Sequence, residues 1–285
     1  MENYWVYLVM IASVSHSLWN MMMKQSEDKT VFLWSLRIWS AIIFLPFCII
    51  LWPAGTQVTS DWIFWGMGSV VLHTIYGMVL SKAYEKSDFS LAYPIARGLG
   101  PLIVVAVGIL WLNEPATMLS VIGSLLIFAG IYILYSGLRL RAGLHSIRAV
   151  LQSPYPILVG VSIASYTLFD KLALSVIPPI PLNIIENIGQ VVLLWTLQVR
   201  KVPGVAARWK KEWGRMAAAG GLAGLAYILV LIVLTEIPVS FVAPVRESSI
   251  VIGSLLGIFI LKEKFSFPKM IGAIVLFAGV VLIVW

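Results

Sequence analysis

Apolar residues gather into ten runs of about 20, separated by short polar links. The runs lie near 4–23, 31–51, 62–82, 90–111, 117–137, 155–174, 181–199, 214–234, 239–261 and 267–285. At 1.5 Å of helical rise per residue, a run of this length matches a hydrocarbon layer about 30 Å thick. Only helices and closed barrels satisfy the backbone in lipid, and strands that alternate over about ten residues do not fit runs this long. The pattern predicts an all-α integral membrane protein of ten transmembrane helices.

The links add direction. Those after runs 1, 3, 5, 7 and 9 hold the basic residues, among them Lys24, Lys82, Arg141, Arg208, Lys211 and Lys264, whereas the other side holds Lys171 at most. By the positive-inside rule the odd links face the cytoplasm, so both termini are expected on the extracytoplasmic side of the cell (inner) membrane. The start of the chain has no basic stretch, only Glu2, so the first run is expected to be a retained helix and not a cleaved signal. The basic link 138–154 is expected to be a cytoplasmic connector between halves 1–137 and 155–285.

The halves repeat. "SHSLWN" at 15–20 faces "SYTLFD" at 165–170, and "AYPIARG" at 92–98 faces "VAPVRES" at 242–248. "IGSLLIFAG" at 122–130 faces "IGAIVLFAG" at 271–279, with five of nine positions identical. Arg97 and Arg246 stand 149 residues apart, as do Glu114 and Glu263. Five runs per half means that the second copy enters the membrane upside down. Inverted repeats are a hallmark of secondary transporters.

Composition narrows the function classes. The chain has 285 residues, 60% of them apolar and only 12% charged, with a mean hydropathy of +0.95. Little is left for a soluble domain. The net charge of +7 lies in the links, which argues for topology and against nucleic-acid binding. One cysteine, Cys48, and three scattered histidines give no metal-ligand spacing. No nucleotide-binding motif appears, so no cofactor and no enzymatic activity are expected.

These repeats resemble the drug/metabolite transporter superfamily, with two EamA-type domains. The residues that carry the resemblance are "SHSLWNMMMK", "AYPIARGLGPLIVVAVGILWLNEP" and "IGSLLIFAGIYIL", with "APVRESSIVIGSLLGIFILKEK" and "IGAIVLFAGVVLIVW" in the second half. The resemblance covers essentially the whole chain. It implies a basket of ten helices around a central cavity lined by spans 1, 3, 4, 6, 8 and 9, and alternating access without ATP. Many relatives keep both termini in the cytoplasm, which departs from the charge distribution here. Small multidrug pumps of the superfamily use an acidic residue in the first span, and this first span has none.

Ionisable groups inside the runs are expensive in lipid and are functional candidates by default. Arg97 and Arg246 each lie about seven residues into a run, roughly 10 Å deep. Guanidinium binds carboxylate or phosphate bidentately. The pair reads as an anion site, as structural ion pairs with Glu186 or Glu247, or as groups snorkelling to the interface. Pro94 and Pro244 read as local helix breaks or as first-turn prolines.

Asn183, Glu186, Asn187 and Gln190 form one polar stripe of span 7, facing a cavity, a lateral gate or a polar helix interface. Glu186 and Arg37 hold matching places in spans 7 and 2. His16 and Asn20 share a face of span 1, and Ser162, Tyr166 and Asp170 make the corresponding face of span 6. His16 or Asp170 is a candidate to titrate in a proton-coupled cycle; the alternatives are a packing hydrogen bond for His16 and a solvated Asp170–Lys171 pair at a span end.

His73 and Tyr76 in span 3, with Tyr227 in span 8, suggest an aromatic lining, and Tyr93 reads as a gate or an interface anchor. Trp5, Trp52, Trp62, Trp111 and Trp285 lie near span ends and are expected in the interfacial belt. Gly220, Gly221 and Gly224 are expected to let helices approach closely. Glu114 reads as a loop or cap residue.

The sequence therefore predicts a secondary transporter of a small polar metabolite bearing a carboxylate, phosphate or phosphonate. The substrate-binding candidates are Arg97, Arg246, His16, Asn20, Tyr76, Tyr93, Tyr166, Glu186, Tyr227 and Glu247. Expected partners are the substrate, the lipid bilayer and protons as coupling ion, with the chain a monomer or weak homodimer. The competing expectations are a cationic-compound exporter and a lipid-linked-substrate flippase.

Overall fold

The computed structural model describes residues 4–86, 89–136, 154–260 and 267–285, with side chains described except at 81, 84–86, 89–96 and 135–136. The described secondary structure is helical. The helices are α1 (Tyr4–Lys24), α2 (Lys29–Ile50), α3 (Asp61–Lys86), α4 (Phe89–Leu110), α5 (Met118–Ser136), α6 (Tyr155–Ala173), α7 (Pro179–Leu197), α8 (Val205–Glu236), α9 (Val239–Arg246), α10 (Ser248–Phe259) and α11 (Phe267–Val284). Eight helical stretches among the described residues are long and apolar enough to cross a membrane, and α4 and α5 occupy the remaining two runs. The protein is an all-α, multi-pass membrane protein.

Two spans differ from the expectation. The ninth run is two helices, α9 and α10, parted at Glu247. Its N–H donates to the Pro244 carbonyl at 2.9 Å, and the Ile250 N–H to the Glu247 carbonyl, also at 2.9 Å. Each bond reaches back three residues where an α-helix reaches back four, so the backbone tightens locally into 3₁₀ geometry. The eighth run starts nine residues earlier than its apolar core. α8 has 32 residues, roughly 48 Å at the helical rise and longer than a hydrocarbon layer of about 30 Å. Residues expected as a link, including Arg208, Lys210 and Lys211, thus continue the helix beyond the apolar stretch.

The links meet by parity. Asp28 caps α2, its Oδ1 accepting from the N–H groups of Thr30 and Val31 at 3.0 Å each, while its other oxygen accepts from Arg208. Beside it Lys211 pairs with Glu27. These contacts join the links after spans 1 and 7. Glu114, after span 4, accepts from the N–H groups of Val239 at 2.7 Å and Ser240 at 2.9 Å. It therefore caps α9, the start of span 9. Among the described residues these contacts join an odd link to an odd one and an even link to an even one, as an up-and-down bundle requires.

The chain forms two compact units, and each draws on both halves of the sequence. One comprises Met1–Tyr7, Ile75–Leu168 and Ile237–Trp285; the other comprises Leu8–Thr74 and Phe169–Glu236. Lipid tails are as apolar as leucine, so close packing and polar contacts have to hold such helices together.

In the first unit α5 and α11 pack along a glycine seam built from the repeated nonapeptide. A Cβ added at Gly123 would lie 2.6 Å from the Gly279 carbonyl, and one at Gly130 would lie 2.5 Å from the Leu276 nitrogen and 2.7 Å from the Gly272 carbonyl. Gly123 faces Gly279 and Gly130 faces Gly272, so the two copies run antiparallel, as inversion demands.

In the second unit α2 packs on α7 and α8. Gly220 and Gly224 let α8 approach the backbone of Leu36 and the side chains of Trp39, Ser40 and Phe44. Trp34 Nε1 donates to the Val191 carbonyl at 3.1 Å. Trp62 belongs to a core with Ala173, Ile177, Leu182 and Leu231, and Trp5 is likewise buried. These two side chains pack into the protein and do not face outward. Trp111 and Trp285 remain 82% and 93% exposed.

Candidate functional site

The sequence candidates fall into two clusters, one in each unit. In the first unit the break after α9 carries Arg246 and Glu247 to a narrow cleft. Arg97 and Pro101 of α4 and Tyr166 and Thr167 of α6 line it as well. Arg97 Nη1 lies 3.7 Å from Glu247 Oε1. The other oxygen of Glu247 is buried without a hydrogen-bond partner among the described residues. Tyr76 packs edge-on against Tyr166, with ring centroids 5.3 Å apart. Two guanidinium groups thus share the cleft with one carboxylate.

The second cluster lies in the other unit and is more deeply buried. Asp170 is 1% exposed. Ser69 Oγ donates to its Oδ1 at 2.7 Å, and the Tyr227 hydroxyl donates to its Oδ2. Lys171 turns away to donate to the Leu234 carbonyl at 2.6 Å. Asp170 and Lys171 are therefore not the solvated pair that their place near a span end suggested. α3 and α8 cover the end of α6, and a carboxylate there needs internal donors.

Glu186 is equally buried, at 1% exposure. Gln190 donates to its Oε1 at 2.6 Å, and Arg37 Nη1 lies 3.5 Å from the same oxygen. Its Oε2 has no hydrogen-bond partner among the described residues. The span 7 stripe of Asn183, Glu186, Asn187 and Gln190 is wholly buried. Of the two ion pairs weighed from sequence, Arg97 meets Glu247, while Glu186 meets Arg37, its counterpart 149 residues earlier in the repeat.

His73 joins the two carboxylates. Its Nε2 stands 3.7 Å from Asp170 Oδ2 and 3.6 Å from Glu186 Oε1, and its ring meets Tyr227 edge-on at 5.4 Å. The sequence reading gave His73 an aromatic lining role and missed this bridge. The available signal was Ser69 and His73 one turn apart on α3, with Asp170 and Glu186 on other helices.

His16 and Asn20 of α1 make contacts within their own helix. Asn20 Nδ2 donates to the His16 carbonyl of its own helix at 2.8 Å, and the His16 ring lies edge-on to Trp19 at 5.2 Å. The side chains of Tyr93 and Pro94, and the whole of Glu263, lie outside the described residues, while the α4 backbone continues as helix through Pro94.

Comparison with known proteins gives a consistent picture. Residues 3–136 and 154–285 each match the EamA-like transporter family. A solved chain described as "Crystal structure of protein" superposes with a TM-score of 0.72 at 15% identity, covering 98% of this chain and 95% of that one. At that identity the likeness concerns the fold alone.

Proposed function

The chain belongs to the EamA-like transporter family, and from that premise we propose that it carries a small polar metabolite with a carboxylate, phosphate or phosphonate group by alternating access. The observation that carries the substrate class is the cleft where Arg97 and Arg246 outnumber Glu247. Guanidinium stays charged and binds such oxyanions in a fork. Glu247, held beside Arg97 and with one oxygen unpartnered, suits an ammonium group, so amino acids and related zwitterions fit. The break at Glu247 supports the same reading, because interrupted spans line transporter binding sites. The inverted repeat supports alternating access, and the basic odd links support extracytoplasmic termini.

A second reading, export of lipophilic cations, draws on the buried acidic residues Asp170 and Glu186. One experiment separates the two: a library of metabolites and lipophilic cations screened for thermal stabilisation of the purified protein. A ligand that binds the native state raises apparent stability by mass action. The expected hits carry an anionic group, lose their effect when that group is esterified, and fail with Arg246→Gln. Hits confined to lipophilic cations, or anion hits unchanged in both Arg97→Gln and Arg246→Gln, would overturn the proposal.

A further inference from the structure

We propose that His73, Asp170 and Glu186 together bind one exchangeable proton, the coupling ion of this transporter; the coupling role rests on the transporter reading above, whereas the binding itself does not. The other ring nitrogen fixes the tautomer. His73 Nδ1 lies 3.1 Å from the Ser69 carbonyl, which only accepts, and 3.4 Å from Ser69 Oγ. That hydroxyl spends its own hydrogen on Asp170, so it too meets the ring as an acceptor. Nδ1 must therefore carry a hydrogen.

This fixes what happens at Nε2. A neutral ring with hydrogen on Nδ1 presents a lone pair at Nε2, aimed at two carboxylate oxygens within 3.7 Å. Three acceptors facing one another in a buried site repel. One added proton removes the conflict, either on Nε2, shared with Asp170 Oδ2 and Glu186 Oε1, or on a carboxyl group. The partnerless Glu186 Oε2 offers the second position. The proton enters from water and leaves to water, with no other bond made or broken.

The surrounding charges set the balance. Arg37 of α2 faces Glu186, and the Tyr227 hydroxyl of α8 faces both Asp170 and Glu186. Lys171 of α6 is turned to a backbone carbonyl. At the ring itself Arg37 alone faces the two carboxylates, and one bound proton brings this set of groups to neutrality. Its loss leaves the cluster with a net negative charge in a low-dielectric place, which is how a carrier can register which side it has sampled.

The test uses the full-length protein in detergent and needs no substrate. Infrared difference spectra and a pH-indicator dye follow proton uptake as the medium is acidified. Wild type should gain one proton more than Glu186→Gln and more than His73→Gln. Any carboxylic-acid band should shift in heavy water and vanish in Glu186→Gln or Asp170→Asn. Proton uptake identical in all four proteins would overturn the site. In vesicles holding a trapped pH dye, a mixture of amino acids should move the lumen pH for wild type and not for Glu186→Gln. Uptake of the mixture without a pH change would overturn the coupling role. Vesicles that take up none of the mixture, while the detergent protein titrates as expected, would overturn amino acids as the substrate and leave the proton site standing.

Discussion

The two units hold repeat-related helices together in opposite ways. In the first, α5 meets α11 through Gly123, Gly130, Gly272 and Gly279, with no charge involved. In the second, α2 meets α7 through Arg37 and Glu186, with His73 and Asp170 of neighbouring helices drawn into the contact. Both contacts join copies of one ancestral segment. The glycine seam kept the same residue at both copies, whereas position 37 and its counterpart 186 carry opposite charges. The difference teaches what each can do. A seam of backbone against backbone has one good geometry and nothing to titrate. A buried set of ionisable groups has several protonation states, each with its own preferred arrangement. The seam suits a rigid contact, and the charged contact suits a place that responds.

The largest effect should come from breaking the charged contact. Arg37→Ala strands Glu186 in a site where it is 1% exposed, and removing one partner of a buried pair costs about 3–5 kcal/mol. Thermal unfolding in detergent should show a large drop. Adding Glu186→Gln to Arg37→Ala should recover much of the loss, since no charge is then stranded. Equal stability of the single and double variants would mean that Arg37 acts by packing alone.

The seam should give the next effect. A Cβ at Gly130 meets two backbone atoms of α11, neither of which can swing aside. Gly130→Ala should cost about 1–3 kcal/mol, the usual range for overpacking. Gly77 supplies the control, because a Cβ there meets nothing within 4 Å. Gly77→Ala should be neutral or raise stability by about 0.5–1 kcal/mol, the helical advantage of alanine. If the two alanine variants unfold alike, close approach at the seam is not what holds α5 to α11.

The repeat that builds the seam was legible in the sequence and the charged cluster largely was not. "IGSLLIFAG" and "IGAIVLFAG" announce themselves because glycines at fixed places in an apolar run have few other uses in lipid. The ten runs were legible for a related reason: the membrane sets their length. Hydropathy reports the apolar layer, however, and not the helix. It therefore missed the charged start of α8, which leaves that layer without ceasing to be helical. It also read the ninth run as one helix, although Arg246, Glu247, Ser248 and Ser249 interrupt it. The cluster was harder because its members lie on α2, α3, α6, α7 and α8. Each was visible as a polar residue in a span, and Arg37 and Glu186 even as a matching pair. That His73 stands between two carboxylates is a property of packing, which no spacing along one helix encodes. Asp170 was misplaced for the same reason, since its distance from the end of α6 says nothing of the helices that cover it.

The smallest effect sharpens the contrast between buried charge and charge as such. Glu27 and Lys211 form an ion pair in the second unit, at side-chain exposures of 59% and 63%. The hydrogen bond from Lys211, and then its charge, hold the Glu27 carboxyl below the usual carboxylate range. A carboxyl whose value is depressed on folding stabilises above its unfolded value and loses that contribution as the pH falls through the folded one. The pair should therefore act at neutral pH and fade in acid. Water screens it, and exposed pairs contribute little. Glu27→Gln should leave the thermal transition at neutral pH nearly unchanged and flatten only its acid limb, whereas Arg37→Ala should lower the transition throughout. A Glu27→Gln loss as large as that of Arg37→Ala would mean that attraction between opposite charges, and not the stranding of a buried one, governs both pairs.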